Sequence, residues 1–178
     1  NYPGFGSTTT MENAIKHLLG EEKTNQFFDR YRSNYITEKE ISFLAENGFN
    51  ALRIPLHYKH FSPSFNEFTN TGFDLLEPII NACRDNDVYI ILDMHAAPGA
   101  QNTSDFSDSD EQEARLFTQY SNQKWYVSTW RYIAQHYADE PVIAAYDLLN
   151  EPVLPWGYGP PALRNLYEWA IDSIRMVD

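Results

Sequence analysis

Val88-Tyr89-Ile90-Ile91-Leu92, followed by Asp93-Met94-His95, is a continuous apolar run that stops in polar residues. An unbroken run of this length and composition marks a strand covered on both faces, as strands of parallel sheets are. Val142-Ile143-Ala144-Ala145-Tyr146 repeats the pattern and leads into Asp147-Leu148-Leu149-Asn150-Glu151-Pro152. A third segment precedes both: Ala51-Leu52-Arg53-Ile54-Pro55-Leu56-His57-Tyr58. Proline has no N–H for a ladder bond, so Pro55 is expected to end that strand. All three strands are expected to be fully buried. Helical stripes separate them: Leu75, Leu76, Ile79, Ile80 and Cys83 before the central run, and Tyr126, Trp130, Ile133 and Tyr137 before the last. Pro160 and Pro161 open a further helix with Leu163, Leu166, Ala170, Ile171 and Ile174 on its inner face. Strands alternating with helices predict a parallel α/β sheet.

Upstream, residues 1–9 read as a loop rich in Gly, Pro, Ser and Thr. Met11, Ala14, Ile15, Leu18 and Leu19 have helical spacing, closed by Gly20. A second helix carries Phe27, Phe28 and Tyr31. Thr37 and Glu40 have the spacing of a capping box, opening a helix with Ile41, Leu44 and Ala45 inward and its end at Gly48. The chain has no repeats or low-complexity linker, and residues 1–178 read as one domain or part of one.

Composition removes whole classes of function. The 178 residues carry 25 acids and 13 bases, a net charge of −12. That balance disfavours a nucleic-acid groove, which needs clustered Lys and Arg, and an anionic membrane surface. No stretch approaches the ~20 apolar residues of a membrane span. Cys83 is the only cysteine and can form no internal disulfide. It falls on a helix stripe, where core packing outranks a nucleophilic role. Aromatic residues reach 15%, more than an ordinary core requires. Flat ligands with hydroxyl groups are one outlet for surplus Tyr and Trp, beside a bulky core.

The chemistry gathers where the strands stop. Arg53 closes the first strand, Asp93 and His95 the second, Asn150 and Glu151 the third. Parallel α/β folds build their sites at the carboxyl ends of strands. Taken singly, Arg53 reads as a structural ion pair and His95 as a hydrogen-bonded core histidine; together they favour a site. A carboxyl buried in an apolar strand-end mouth tends to keep its proton at neutral pH. A general acid needs that property when the leaving group is a sugar oxygen, and Glu151 is the candidate. Asn150 offers a donor and an acceptor on one amide, suited to a sugar hydroxyl. Trp156 and Tyr158 follow in a Gly/Pro-rich loop, where they either stack on a pyranose face or pack the loop down. Tyr58 and His60 sit similarly after the first strand. The long loop after His95 holds Asp105, Asp108, Asp110, Glu111 and Glu113 and reads as a solvated, mobile flap. Asn102-Thr103-Ser104 within it fits a glycosylation sequon.

The segments Arg53-Ile54-Pro55, Leu92-Asp93-Met94-His95-Ala96-Ala97-Pro98-Gly99 and Tyr146-Asp147-Leu148-Leu149-Asn150-Glu151-Pro152 resemble glycoside hydrolase family 5, most closely its β-glucan-degrading members. The Thr37–His60 stretch and the opening Asn1-Tyr2-Pro3-Gly4 fit the same family. The resemblance implies a (β/α)8 TIM barrel that hydrolyses β-glycosidic bonds with retention and needs no cofactor or metal. It implies Glu151 as acid/base and Asn150 as the contact to the 2-hydroxyl of the sugar being cleaved. It implies Arg53 as the residue that positions the nucleophile and His95 as a contact in the same subsite. The implied partner is a β-linked oligo- or polysaccharide, in a secreted or periplasmic parent.

One departure stands out. Retaining hydrolysis uses a second carboxylate ~5–5.5 Å from the first. The family carries it at the end of strand seven, with a His-Tyr pair on strand six and a Trp on strand eight. None has a counterpart here. A complete barrel takes ~250 residues, so the chain is expected to be an incomplete barrel holding strands two to four. Such a fragment is expected to lack turnover and to associate with itself through open sheet edges. Two other readings compete: a non-catalytic carbohydrate-binding half-barrel, and a metal-dependent barrel hydrolase using His57, His95 and Asp93. The last lacks the H-x-H or H-E-x-x-H spacing that would set two imidazoles on one ion.

Overall fold

The computed structural model describes residues 6–109 and 113–178. The opening Asn1-Tyr2-Pro3-Gly4 and the loop acids Asp110 and Glu111 lie outside the described residues. Three helices lead: α1 (Thr8–Leu19), α2 (Glu21–Tyr35) and α3 (Glu38–Glu46). Then β1 (Ala51–His57), α4 (Thr71–Asp85), β2 (Tyr89–Ala96), the short α5 (Arg115–Thr118), α6 (Tyr120–Tyr137), β3 (Ile143–Asp147) and α7 (Pro160–Ile174) follow. The strands form one parallel sheet in the order β1-β2-β3. The capping box at α3 forms as its sequence requires. The Glu40 carboxylate accepts from the Thr37 backbone N–H at 2.8 Å, and the Thr37 hydroxyl accepts from Lys39 N–H.

Side chains alternate across a strand, so register assigns them to faces. Arg53 pairs with Ile91, Pro55 with Asp93, and Asp93 with Asp147. Arg53, Asp93 and Asp147 therefore share one face. Ile54, Leu56, Ile90, Leu92 and Met94 take the opposite face and are buried against Leu76, Ile80 and Cys83 of α4 and Tyr126, Trp130 and Ile133 of α6. Each such side chain contributes about 1.5–3 kcal/mol when fully buried. Cys83 is completely buried, and burial pushes its thiol up to about 11.

Three expectations about the strands need correction. Only β2 approaches full burial; Ala51, Arg53 and Pro55 of β1 and Ala144 and Ala145 of β3 are exposed. These two strands are the sheet's edges, and among the described residues the face that carries Arg53 is left partly exposed. Pro55 does not end β1, which continues to His57. An edge strand accepts proline because the missing donor can face away from the neighbouring strand. Arg53 consequently lies within β1 rather than at its end, and reaches the strand ends by the length of its side chain. Arg53, Asp93 and Asp147 occupy the carboxyl-end side of that face.

Candidate active site

Arg53 is the hub. Its Nε donates to Asp147 Oδ2 at 2.9 Å, and Nη2 donates to Asn150 Oδ1 at 2.9 Å while lying 3.0 Å from Asp93 Oδ2. The planar guanidinium fork suits this multiple engagement, which an ammonium group could not reproduce. Asp93 is fully buried, and its Oδ2 also meets His95 Nδ1 at 2.7 Å. Burial raises the Asp93 pKa, opposed by the bond from His95 and the charge of Arg53. Its second oxygen, Oδ1, is buried with no partner among the described residues. Thus β1 supplies the cation, β2 a carboxylate and an imidazole, β3 a carboxylate, and the segment just past β3 an amide. Phe106 stands beside His95, with ring centroids 5.8 Å apart, and is partly exposed.

The end of β3 is pinned before it turns. Tyr126 Oη and Trp130 Nε1 of α6 both donate to the Leu148 carbonyl, at 2.8 and 3.0 Å. Asn150 N–H donates to Met94 O of β2 at 3.0 Å. Asn150 is buried, and Arg53 occupies its amide oxygen rather than its Nδ2. Glu151 then adopts φ 41°, in the left-handed region. For a residue with a Cβ that conformation costs roughly 1–2 kcal/mol. The Glu151 side chain is exposed. The apolar mouth expected around it is therefore not built by these residues.

Beyond β2, the loop expected to be a solvated, mobile flap packs down over much of residues 97–109, while Asp105 and Glu113 face solvent as expected. Gln101 is fully buried, Asn102 nearly so, and Ala97, Ala100, Ser107, Asp108 and Ser109 are buried with them. Gly99 has φ 77°, and a Cβ there would collide with the Asn122 side chain, so only glycine fits. Asn102 uses its amide within the fold, donating to Glu151 O at 2.9 Å and accepting from Ser104 N–H at 2.8 Å. The sequon is thus closed to a glycan in this fold. Asp108 gathers Thr9 N–H at 2.7 Å, Thr9 Oγ1 at 2.6 Å, Lys59 Nζ at 2.9 Å and His57 Nε2 at 3.0 Å. His57 Nδ1 accepts from Lys59 N–H, which leaves the ring proton on Nε2 for Asp108. Burial alone would raise the Asp108 pKa. The bonds from His57, Thr9 and Lys59 outweigh that and hold it far below the ordinary carboxylate range.

The loop after β3 behaves oppositely. Trp156 is fully exposed and Tyr158 is 43% exposed. Trp156 does not pack the loop down. Tyr58, expected near the site, is buried against Trp125 with ring centroids 5.1 Å apart and offers no platform. Of the three residues considered for a metal centre, His95 stays with Asp93 while His57 turns away to Asp108. Among the described residues no group of three His, Cys, Asp or Glu side chains converges as a metal site would require.

Sequence reasoning gave no role to Asp147, Gln101, Phe106 or Asp108. Asp147 could have been found from the same strand-end logic as Asn150. The other three lie in an irregular loop, where no periodicity marks a buried side chain.

A parallel sheet whose carboxyl ends collect carboxylates, an arginine, a histidine and an amide has the layout of a barrel-type α/β hydrolase site. The family described as Cellulase (glycosyl hydrolase family 5) matches residues 11–178, and the chain belongs to that family. A β-xylosidase of Phanerodontia chrysosporium is 34% identical over 169 residues, 86% of this chain and 36% of its own length. A probable glucan 1,3-β-glucosidase A of Neosartorya fischeri is 27% identical, over 99% of this chain and 42% of its own. A crystal structure of a Pseudomonas stutzeri endoglucanase in complex with cellobiose superimposes with a TM-score of 0.62 at 25% identity, over 79% of this chain and 39% of that one. The chain thus spans about two fifths of the length of these relatives and is a partial (β/α)8 barrel.

Proposed function

We propose that this chain is the acid/base-bearing portion of a retaining β-glycosidase acting on a β-glucan. The observation that carries the reading is the Arg53 network, which ties Asp93, Asp147 and Asn150 together immediately before Glu151. In the first step Glu151 gives its proton to the glycosidic oxygen as the anomeric C–O bond breaks. A second carboxylate, from the part of the family's length beyond these residues, forms the new bond to the anomeric carbon. In the second step Glu151 takes a proton from the water that displaces that carboxylate. Asp93 does not serve as the nucleophile, because it is fully buried. Asn150 Nδ2 remains to donate to the 2-hydroxyl, and His95 supports the same subsite.

Endo action on a cellulose-like chain is the reading favoured by the open Trp156 and Tyr158 loop, which suits a ligand extending past the cleaved bond. Removal of terminal units is the second reading, favoured by the β-xylosidase and glucan 1,3-β-glucosidase names of two relatives. Viscosity loss against reducing-end release on soluble β-glucan separates the two. The test of Glu151 itself is Glu151→Gln in the whole protein. Turnover of substrates with poor leaving groups should fall by ~10²–10⁴-fold. Activated aryl glycosides should lose less in the first step, and azide should restore part of the second. Equal loss on both substrate types without azide rescue would remove the assignment and leave a carbohydrate-binding role.

A further inference from the structure

We propose that Gln101 and Asn102 are positioning residues that fix where the Glu151 carboxyl stands by bonding the backbone from Asn150 to Val153. The inference rests on Glu151 being the acid/base.

The β2–β3 ladder stops at the Asp93–Asp147 pair, before the residues that matter. One bond, Asn150 N–H to Met94 O, continues it. Past that point the ladder's work passes to the loop after β2. Gln101 Nε2 donates to His95 O at 2.7 Å and to Asn150 O at 3.1 Å. Its Oε1 accepts from Ala97 N–H at 3.2 Å, and its own carbonyl accepts from Val153 N–H at 2.9 Å. Asn102 Nδ2 donates to Glu151 O at 2.9 Å. One buried dipeptide thus grips β2 at His95, the loop start at Ala97, and the β3 extension at Asn150, Glu151 and Val153.

Glu151 lies inside that grip at φ 41°. An exposed glutamate would relax out of the left-handed region unless its surroundings over-determined it. The amides do this from two sides, with donors that face no water and so have no competing partner. Ser107 Oγ, which donates to Asn102 O at 3.0 Å, braces the dipeptide from behind. The alternative is that these amides merely pack the loop. The two cases differ in what they do to proton transfer. A loosened loop lowers the amount of folded enzyme for every substrate alike. A displaced acid lowers the rate only where the leaving oxygen needs a proton.

The experiment measures kcat/KM for a series of aryl β-glucosides, from dinitrophenyl to phenyl, with the full-length protein. Wild type, Glu151→Gln, Asn102→Ala and Gln101→Glu are compared, each with its thermal midpoint. Asn102→Ala should lose ~10- to 100-fold on the phenyl substrate and under about threefold on the dinitrophenyl one, with a midpoint within a few degrees of wild type. Gln101→Glu keeps the shape but cannot donate to both carbonyls, and should show the same split. Should Gln101→Glu fail to fold, Asn102→Ala decides alone. A loss equal across the series, or none, overturns the positioning role. If Glu151→Gln itself shows no dependence on leaving group, the acid/base reading fails first, and that failure is visible separately.

Discussion

The two loops that flank the candidate site differ in what they hide. The loop after β2 buries polar side chains: Gln101, Asn102, Ser107 and Asp108 are all shielded and bonded. The loop after β3 does the reverse, leaving Trp156 and Val153 in water. A buried polar group costs free energy unless it is paired, so a loop built from paired ones has few alternative conformations. An exposed indole has no such constraint and is free to meet a ligand. One loop acts as frame, the other as surface, and Arg53 at their common base touches both strands from which they spring.

Removing that base should give the largest effect. Arg53→Ala is expected to lower kcat/KM on aryl β-glycosides by ~10²–10³-fold. It should also lower the thermal midpoint by several degrees at neutral pH, since Asp93 would stay buried without its cation. Burial already raises the Asp93 pKa, so protonation relieves the defect as pH falls. The midpoint difference between variant and wild type should therefore be greatest at neutral pH and shrink as pH falls toward the ordinary Asp value of ~3.9. Unchanged activity would separate Arg53 from the site.

A smaller effect, confined to stability, is expected from loosening the frame at its far end. Asp108→Asn should lower the midpoint by a few degrees, a net loss of about 1.5–3 kcal/mol as its charge-assisted bonds weaken to neutral ones. The folded-state pKa of Asp108 is depressed, so the unfolded chain binds the extra proton as acid is added. The wild-type advantage is then fully present above the ordinary Asp value of ~3.9 and declines progressively below it. Thermal unfolding of both proteins between pH 7 and pH 3 checks the sign; an advantage that grows in acid would contradict it. Least of all should Trp156→Ala disturb the fold. Its midpoint should move by no more than about one degree, while binding to soluble β-glucan weakens by roughly 3- to 10-fold. Isothermal titration would test that, and unaltered affinity would make the exposed ring incidental.

Much of this architecture could be read before any coordinates. Ile90, Leu92 and Met94 lie in or beside an apolar run whose burial follows from its continuity. Thr37 and Glu40 announce a helix start by spacing alone. Arg53, His95 and Asn150 were legible because strand ends in parallel sheets collect function, and Arg53 needed only a long side chain to offset its mid-strand position. What could not be read is the exposure of β1 and β3. It depends on what lies across the sheet, and local pattern carries no such information. The same holds for Gln101, whose neighbours Pro98, Gly99 and Ala100 suggest a solvated turn. Its burial follows from partners up to 49 residues away along the chain.

Cys83 carries a consequence for how the molecule can be watched. Its sulfur sits at zero exposure on α4, and its thiolate is scarce because burial holds the proton on. An alkylating reagent therefore reacts with it only while α4 has lifted from the sheet. The labelling rate becomes a clock for that opening, read at a single atom and without any mutation among these 178 residues.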